Sequence, residues 1–404
     1  MNKSFSSLPF NKGNLLPQEE MLAVAKKKSK LIIGIPKEDQ ETENCVPLTP
    51  EAVELLVKNE HEILLEQGSG VGANYLDTDY SECGGFIIAN KSEVLKADIV
   101  LKIAPFTIEE ANMLKGNQLV ISNLHINGQT KEYIKTMMQK KLTAIASEQI
   151  KDEQGGYPIE DSMNAISGIT AIHVAAEYLS TLHSGNGVML GGISGITPAE
   201  VVILGTNTAA EFAARAALGM GASVKIFSDS ISQMREIQYL LGQSLYTSIF
   251  HPRVMEKALR SADVVIGALS VNDQGSKFFV SKDLVKCMKK GSMIIDLSID
   301  QGGCFETSEC RTQKDPVFIK HDVIHYCVPN ITSRVARTAS IALSNVFAPL
   351  LLRIGESGGF VKYIAENPSF RSGIYIYNGI LTNRFIGSKY DIPSQDINLL
   401  MAAF

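Results

Sequence analysis

Residues 201–229 read VVILGTNTAAEFAARAALGMGASVKIFSD. Four apolar residues, Val201 to Leu204, run into Gly205, and a helix-forming segment follows from Ala209 to Met220. Gly221 ends that helix, and Val224 to Phe227 resumes a strand. The pattern is a βαβ unit of the dinucleotide-binding kind, in which the unpaired N–H groups of the helix start face the phosphates. The glycine fingerprint of such units reads here Gly205-Thr206-Asn207-Thr208-Ala209-Ala210. Its first glycine stands, its second is Asn207 and its third is Ala210. Asn207 tolerates the left-handed backbone a glycine would use, but it brings a side chain to where phosphate approaches. The acidic residue that holds the ribose at the end of the second strand is displaced: Ser228 comes first, then Asp229. A degenerate fingerprint divides evenly between a cofactor site and a plain βαβ unit, so the surrounding chain decides.

A length of 404 residues favours two domains. With 45% hydrophobic and 20% charged residues the composition is that of a globular chain. A formal net charge of −5 gives no sign of a nucleic-acid surface. The six cysteines, at 45, 83, 287, 304, 310 and 327, show no paired spacing. They read as reduced thiols of a cytoplasmic protein without a metal site. The start of the chain lacks the apolar core of a signal peptide. The best membrane candidate, 335–352, is interrupted by Arg337, Asn345 and Pro349 and reads as a buried core helix.

A helix is expected from Pro17, with acids at its start and lysines at its end. Strands are expected at 31–35, 62–66, 97–103, 118–123 and 142–147, with helices from Pro50 and over 131–140. A long helix is expected over 164–182, with Ile166, Ile169, Ile172, Ala176 and Leu179 on one face. Further strands at 264–267, 293–298 and 323–328 extend a parallel sheet. Asn378-Gly379 marks a closing hairpin. The layout is α/β: a Rossmann-type dinucleotide-binding domain (165–334, including a connecting helix) inserted into a discontinuous substrate domain (1–164 plus 335–404).

Eight blocks, in order, carry a resemblance along nearly the whole chain. They are IGIPKE (33–38), LTPEAVELL (48–56), HEILLEQGSGVGANYLDTDY (61–80), ADIVLK (97–102), GGISGITPAEVVILG (191–205), ADVVIGA (262–268), IDLSIDQGGCFETSE (295–309) and HYCVPNI (325–331). Together they resemble the alanine dehydrogenase/pyridine-nucleotide transhydrogenase family. The IDQGGCFE block looks like the alanine dehydrogenase branch, and no membrane segment precedes Phe404, which leans the same way. The resemblance implies an NAD-dependent interconversion of L-alanine with pyruvate and ammonia in a hexameric homo-oligomer. Nicotinamide takes a hydride from the α-carbon and water attacks the resulting iminium. His125 in SNLHING matches the family's acid/base histidine, and Asp300 in SIDQGG its catalytic aspartate. Asn330 in VPNI falls where the family lines the nicotinamide pocket.

The departures fall on functional positions. Cys45 in NCVPLTP replaces an arginine, and Ala104 replaces a lysine of the family's LKxK strand; both family residues grip the substrate carboxylate. Lys102, two residues along the strand, shares the face of 104 and is a candidate substitute, as is Lys37. The family's MSEIAG reads Met163-Asn164-Ala165-Ile166-Ser167-Gly168 and loses its glutamate. Retained His125 and Asp300 favour a working enzyme, weakened or retuned to another small amino or keto acid. Cys45, Ala104, Asn207 and Ser228 favour a catalytically silent relative that serves as a binding or assembly partner.

Overall fold

The computed structural model describes residues 28–269 and 279–402. The helix expected from Pro17 lies outside them. The described strands form two sheets. The first contains β1 (Ile32–Ile35), β2 (Glu62–Glu66), β3 (Phe86–Ile88), β4 (Ile99–Leu101), β5 (Leu119–Ser122) and β6 (Thr143–Ala146). The second contains β7 (Glu200–Leu204), β8 (Ser223–Phe227), β9 (Tyr246–Ser248), β10 (Val264–Gly267), β11 (Met293–Asp296), β12 (Val317–Lys320) and β13 (Val323–Tyr326). The chain then returns to the first sheet with β14 (Ile374–Tyr377) and β15 (Ile380–Leu381). The second α/β domain is therefore inserted into the first.

Both sheets are doubly wound. The first runs β3-β2-β1-β4-β5-β6, all parallel, and β14 joins β6 antiparallel with β15 beyond it. The second runs β9-β8-β7-β10-β11-β13, again parallel, with β12 antiparallel at the edge. Order reverses between β1 and β4 in one sheet and between β7 and β10 in the other. Such reversals open crevices at the carboxyl ends of strands, where ligands bind.

Alternation along the strands divides each core. In the second sheet Val201 and Ile203 face the Ala-rich helix Thr208–Gly219, whereas Val202 and Leu204 face the helix Pro252–Ser261. Both faces are covered, which is why these strands read as continuous apolar runs. In the first sheet Ile33, Ile35 and Leu101 pack on Leu343, Phe347 and Ile354 of the helix Ala336–Glu356. That helix is the apolar stretch weighed as a membrane span, and it supplies core here. It continues through Pro349 to Glu356 rather than stopping near 352.

The long helix before the second domain spans Pro158–Tyr178, not 164–182. Its polar first turn carries no apolar period, but Pro158 at the helix start and Glu160 and Asp161 behind it suit a helix N-terminus. Its expected stripe is also rotated: Ile172 and Leu179 are fully buried, whereas Ile169 is exposed. Gly168 explains the close approach to the next domain. A Cβ there would lie 2.2 Å from the carbonyl oxygen of Ala209.

Candidate functional site

A cavity of about 810 Å³ lies between the domains. Its walls include loops that leave the carboxyl ends of β1, β4, β5 and β6 on one side and of β11 and β13 on the other, together with the first turns of the helix Pro158–Tyr178. His125, Asp300, Cys45, Ala104 and Asn330 all line it. Residues as much as 285 positions apart in sequence, Cys45 and Asn330, thus meet because the two sheets present the same edge to one crevice.

His125 follows β5 in a left-handed conformation, φ 44° and ψ 62°. Such a backbone in a residue other than glycine needs external support. Glu148, just past β6, supplies it by accepting the N–H of Leu124 at 2.9 Å and that of His125 at 3.4 Å. Gln129 donates to the Leu124 carbonyl at 2.7 Å and secures the same turn. The His125 Nδ1 lies 3.7 Å from Asp300 Oδ2 of the other domain. Burial works against the imidazolium, but Asp300, Glu148 and Glu43 outweigh it and raise the His125 pKa above its ordinary value. The ring is thus disposed to carry a proton, with Asp300 facing it and the charge of Glu148 adding to its hold.

Asp300 sits on a short turn, Ile299–Gln301, after β11. Gly302 and Gly303 follow at φ 113° and 82°, so the chain doubles back at once. The buried Asp296 ties this loop down. It accepts from the Cys304 N–H at 2.8 Å, the Ser308 hydroxyl at 2.6 Å and the Ser298 N–H at 3.1 Å.

The substrate-side residues depart from expectation. Lys102 does not reach the cavity. Its ammonium is buried, 2.8 Å from Glu110, 3.5 Å from Glu38 and 3.1 Å from the Pro105 carbonyl. The reading of Lys102 as a cation for a substrate carboxylate is therefore corrected. Strand periodicity places it on the face of 104, but Glu38 from beyond β1 and Glu110 from the following helix close over it. Lys37 is no substitute either, since its ammonium points toward Gly68. Glu38, after β1, accepts the N–H groups of Ile103 at 2.6 Å and Ala104 at 3.2 Å, bridging the reversal point of the first sheet. Cys45 is 2% exposed, and burial followed by Glu43 pushes its thiol up, so it stays uncharged.

Asn330 stands at the cavity wall with its amide committed. It donates to Glu43 Oε2 at 2.8 Å and also to the Thr42 carbonyl. Glu43 meanwhile accepts the Cys45 N–H at 2.9 Å. The sequence reading passed over Glu43, Glu148, Glu160 and Asp296. Position at or just beyond a strand end could have found Asp296, the last residue of β11, and Glu148, two residues past β6; nothing local marks Glu43 or Glu160.

The turn after β7 opens on the same edge of the second sheet. Gly205 has φ 120°, and a Cβ there would lie 2.0 Å from the Ala268 carbonyl oxygen after β10, so glycine is required. Asn207 is not left-handed, which corrects the sequence expectation: φ is −72° and ψ 178°. It caps the helix Thr208–Gly219, its side chain accepting the Ala210 N–H at 3.0 Å. The amide is thus folded back onto the helix, and the N-terminal turn keeps a cradle with no bulk at Gly205. That cradle suits a dinucleotide pyrophosphate. Ser228 is buried at the end of β8, its hydroxyl 3.3 Å from Thr206 and accepting the Ser230 N–H at 3.2 Å. Asp229 beside it is exposed. All six cysteines are free, and no group of residues among those described is arranged to hold a metal ion.

Comparison with known proteins covers the same span. The profile of the alanine dehydrogenase/PNT N-terminal domain matches residues 34–167, and that of the C-terminal domain matches residues 171–384. The chain is 33% identical over 368 residues to an alanine dehydrogenase of Staphylococcus saprophyticus, covering 91% of this chain and 99% of that protein. Alanine dehydrogenase 2 of Staphylococcus aureus is 32% identical over 366 residues, 90% of this chain and 98% of its own. A solved L-alanine dehydrogenase superposes with a TM-score of 0.83 at 30% identity, covering 90% of this chain and 100% of that one. A transhydrogenase from Sinorhizobium meliloti, at 20% identity and a TM-score of 0.73 over 87% and 98% of the two chains, shares the fold.

Proposed function

Because the chain belongs to the alanine dehydrogenase/PNT family, we propose that it is an NAD-dependent, alanine dehydrogenase-like oxidoreductase. L-alanine, NAD and water would give pyruvate, ammonia and NADH. The observation that carries the reading is the facing pair His125 and Asp300, 3.7 Å apart across the interdomain cavity.

Gly205 and the N-terminal turn of the helix Thr208–Gly219 would hold the pyrophosphate, with Ala210 packed beneath and Ser228 and Asp229 toward the ribose. Asn330 would face the nicotinamide once its amide leaves Glu43. Bound NAD supplies the acceptor for the hydride leaving the substrate carbon. His125 takes the proton of the water that adds to the iminium and returns it when ammonia departs. Asp300 stabilises the iminium and the imidazolium, and Glu148 holds the turn that carries the ring through the N–H groups of Leu124 and His125. The substrate domain would comprise residues 1–164 and 335–404, the nucleotide domain 165–334. Six free thiols fit a cytoplasmic location. The same reading extends to a homo-hexamer, which the family resemblance supports.

Calorimetric titration with NAD, paired with NADH formation from L-alanine, tests this reading. Binding with slow but measurable turnover is expected. Absence of NAD binding by the folded protein would overturn it in favour of a silent partner.

A further inference from the structure

The amino acid that such a cavity would oxidise has a carboxylate beside the reacting carbon. That carboxylate requires cations, and the walls offer almost none. Among the described residues lining the cavity, Arg311 alone is a lysine or arginine, and His125, which already faces Asp300, is the one histidine, against Glu41, Glu43, Glu148, Glu160 and Asp300. Arg311 is already committed: its guanidinium lies 4.8 Å over the Phe318 ring, 3.1 Å from Asp315 and 3.6 Å from Glu309. Lys102 is sealed between Glu110 and Glu38. Lys314 is paired with Glu41.

The neighbouring negative charges add to the effect of burial at Glu160. Burial, then the neighbouring Glu148, Asp161 and Asp300, raise the Glu160 carboxyl above its usual range. A further anion seated near Glu43, Cys45 and Ala104 would meet repulsion and no charge-assisted donor. A primary amide has the planar shape of a carboxylate, carries no charge and brings two N–H donors that the surrounding oxygens accept.

We propose that the substrate group seated against Cys45 and Ala104 is uncharged: the preferred substrate is a primary amine beside an amide or another neutral function, not a free carboxylate. This rests on the reading of the cavity as an NAD-dependent amine-oxidising site. The balance is unchanged from the amino-acid reaction. The ammonium form of the amine, NAD and water give a carbonyl compound, ammonium, NADH and one proton. L-alaninamide would thus yield the amide of pyruvate.

The test follows NADH formation by the full chain at saturating NAD from L-alaninamide and from L-alanine. Calorimetry of both compounds on the NADH-loaded protein runs beside it. The amide is expected to show at least tenfold higher kcat/KM and tighter binding. In the double variant Cys45→Arg/Ala104→Lys the order should invert, with L-alanine gaining at least tenfold. Should that variant fail to fold, Cys45→Arg alone should move the ratio in the same direction. Equal or better use of L-alanine by the unaltered chain would overturn the inference, as would binding of neither compound despite NADH binding. Tighter binding of the amide without turnover would leave the charge inference standing and sink the dehydrogenase reading.

Discussion

His125 and Asp300 lie 175 positions apart, yet Nδ1 of one is 3.7 Å from Oδ2 of the other across the domain boundary. Asp300 reaches that place on a turn anchored by the buried Asp296. Replacing Asp300 by asparagine keeps the size but removes the charge beside the iminium and the imidazolium. Turnover should fall by at least a hundredfold, on the order of 3 kcal/mol, while NAD affinity changes little. Unchanged turnover in a steady-state assay would remove Asp300 from the mechanism.

Glu148 raises the proton affinity of His125 and also holds its backbone. Glu148→Gln keeps an acceptor for the N–H of Leu124 but deletes the charge. The His125 pKa should fall toward its ordinary value. Because amine oxidation needs the neutral imidazole, the acid limb of the kcat/KM profile should move to lower pH. A limb that stays in place would mean another group controls it.

Much of the fold could be read because apolar runs such as 201–204 and 264–267 sit in strands buried on both faces. The polar edge strand β9 and the antiparallel β12 lack that signal and were not expected. The start of the 158–178 helix was missed because its first turn follows capping chemistry, not hydrophobic period. In the site, His125 and Asp300 were legible from family motifs and strand-end position. The fate of Lys102 was not, since Glu38 and Glu110 reach it from 64 and 8 positions away. Nor could sequence show that Asn207 turns its amide onto Ala210, which depends on the local backbone.

At the ribose end, Ser228 and the exposed Asp229 offer a hydroxyl and a carboxylate, and no arginine immediately follows. A 2′-phosphate would meet the Asp229 charge without a guanidinium to balance it. NAD should therefore bind at least tenfold more tightly than its 2′-phosphorylated form, about 1.4 kcal/mol. Equal dissociation constants by calorimetry would defeat this assignment.

Gly168 sets the distance between the helices that carry the two halves of the site. An added Cβ would lie 2.2 Å from the Ala209 carbonyl oxygen and 2.7 Å from the Ala213 nitrogen, both backbone atoms that cannot step aside. Gly168→Ala must therefore push the helices apart, at roughly 1–3 kcal/mol. Because Thr208 opens the second helix and Met163, Asn164 and Ser167 line the cavity from the first, NAD affinity should fall as well. A variant with the melting temperature and NAD affinity of the original would show that the contact is slack.

Glu38 gives a stability prediction with a definite sign. Burial lifts its carboxyl from 4.5 to about 7, and the charge of Lys102 and the N–H of Ile103 only partly offset this. The folded chain thus keeps a proton that the unfolded chain releases as pH rises from 4.5 toward 7. Stability from this group is present at low pH and is lost across that window. Glu38→Gln retains an oxygen for the Ile103 N–H and leaves Lys102 its partner Glu110, 2.8 Å away. Relative to the original chain, the variant should gain stability between pH 4.5 and 7, by an amount on the order of 1–3 kcal/mol. Urea unfolding of both proteins at pH 5 and pH 8 measures the difference. A gap that stays constant across the two pH values would show that Glu38 titrates normally.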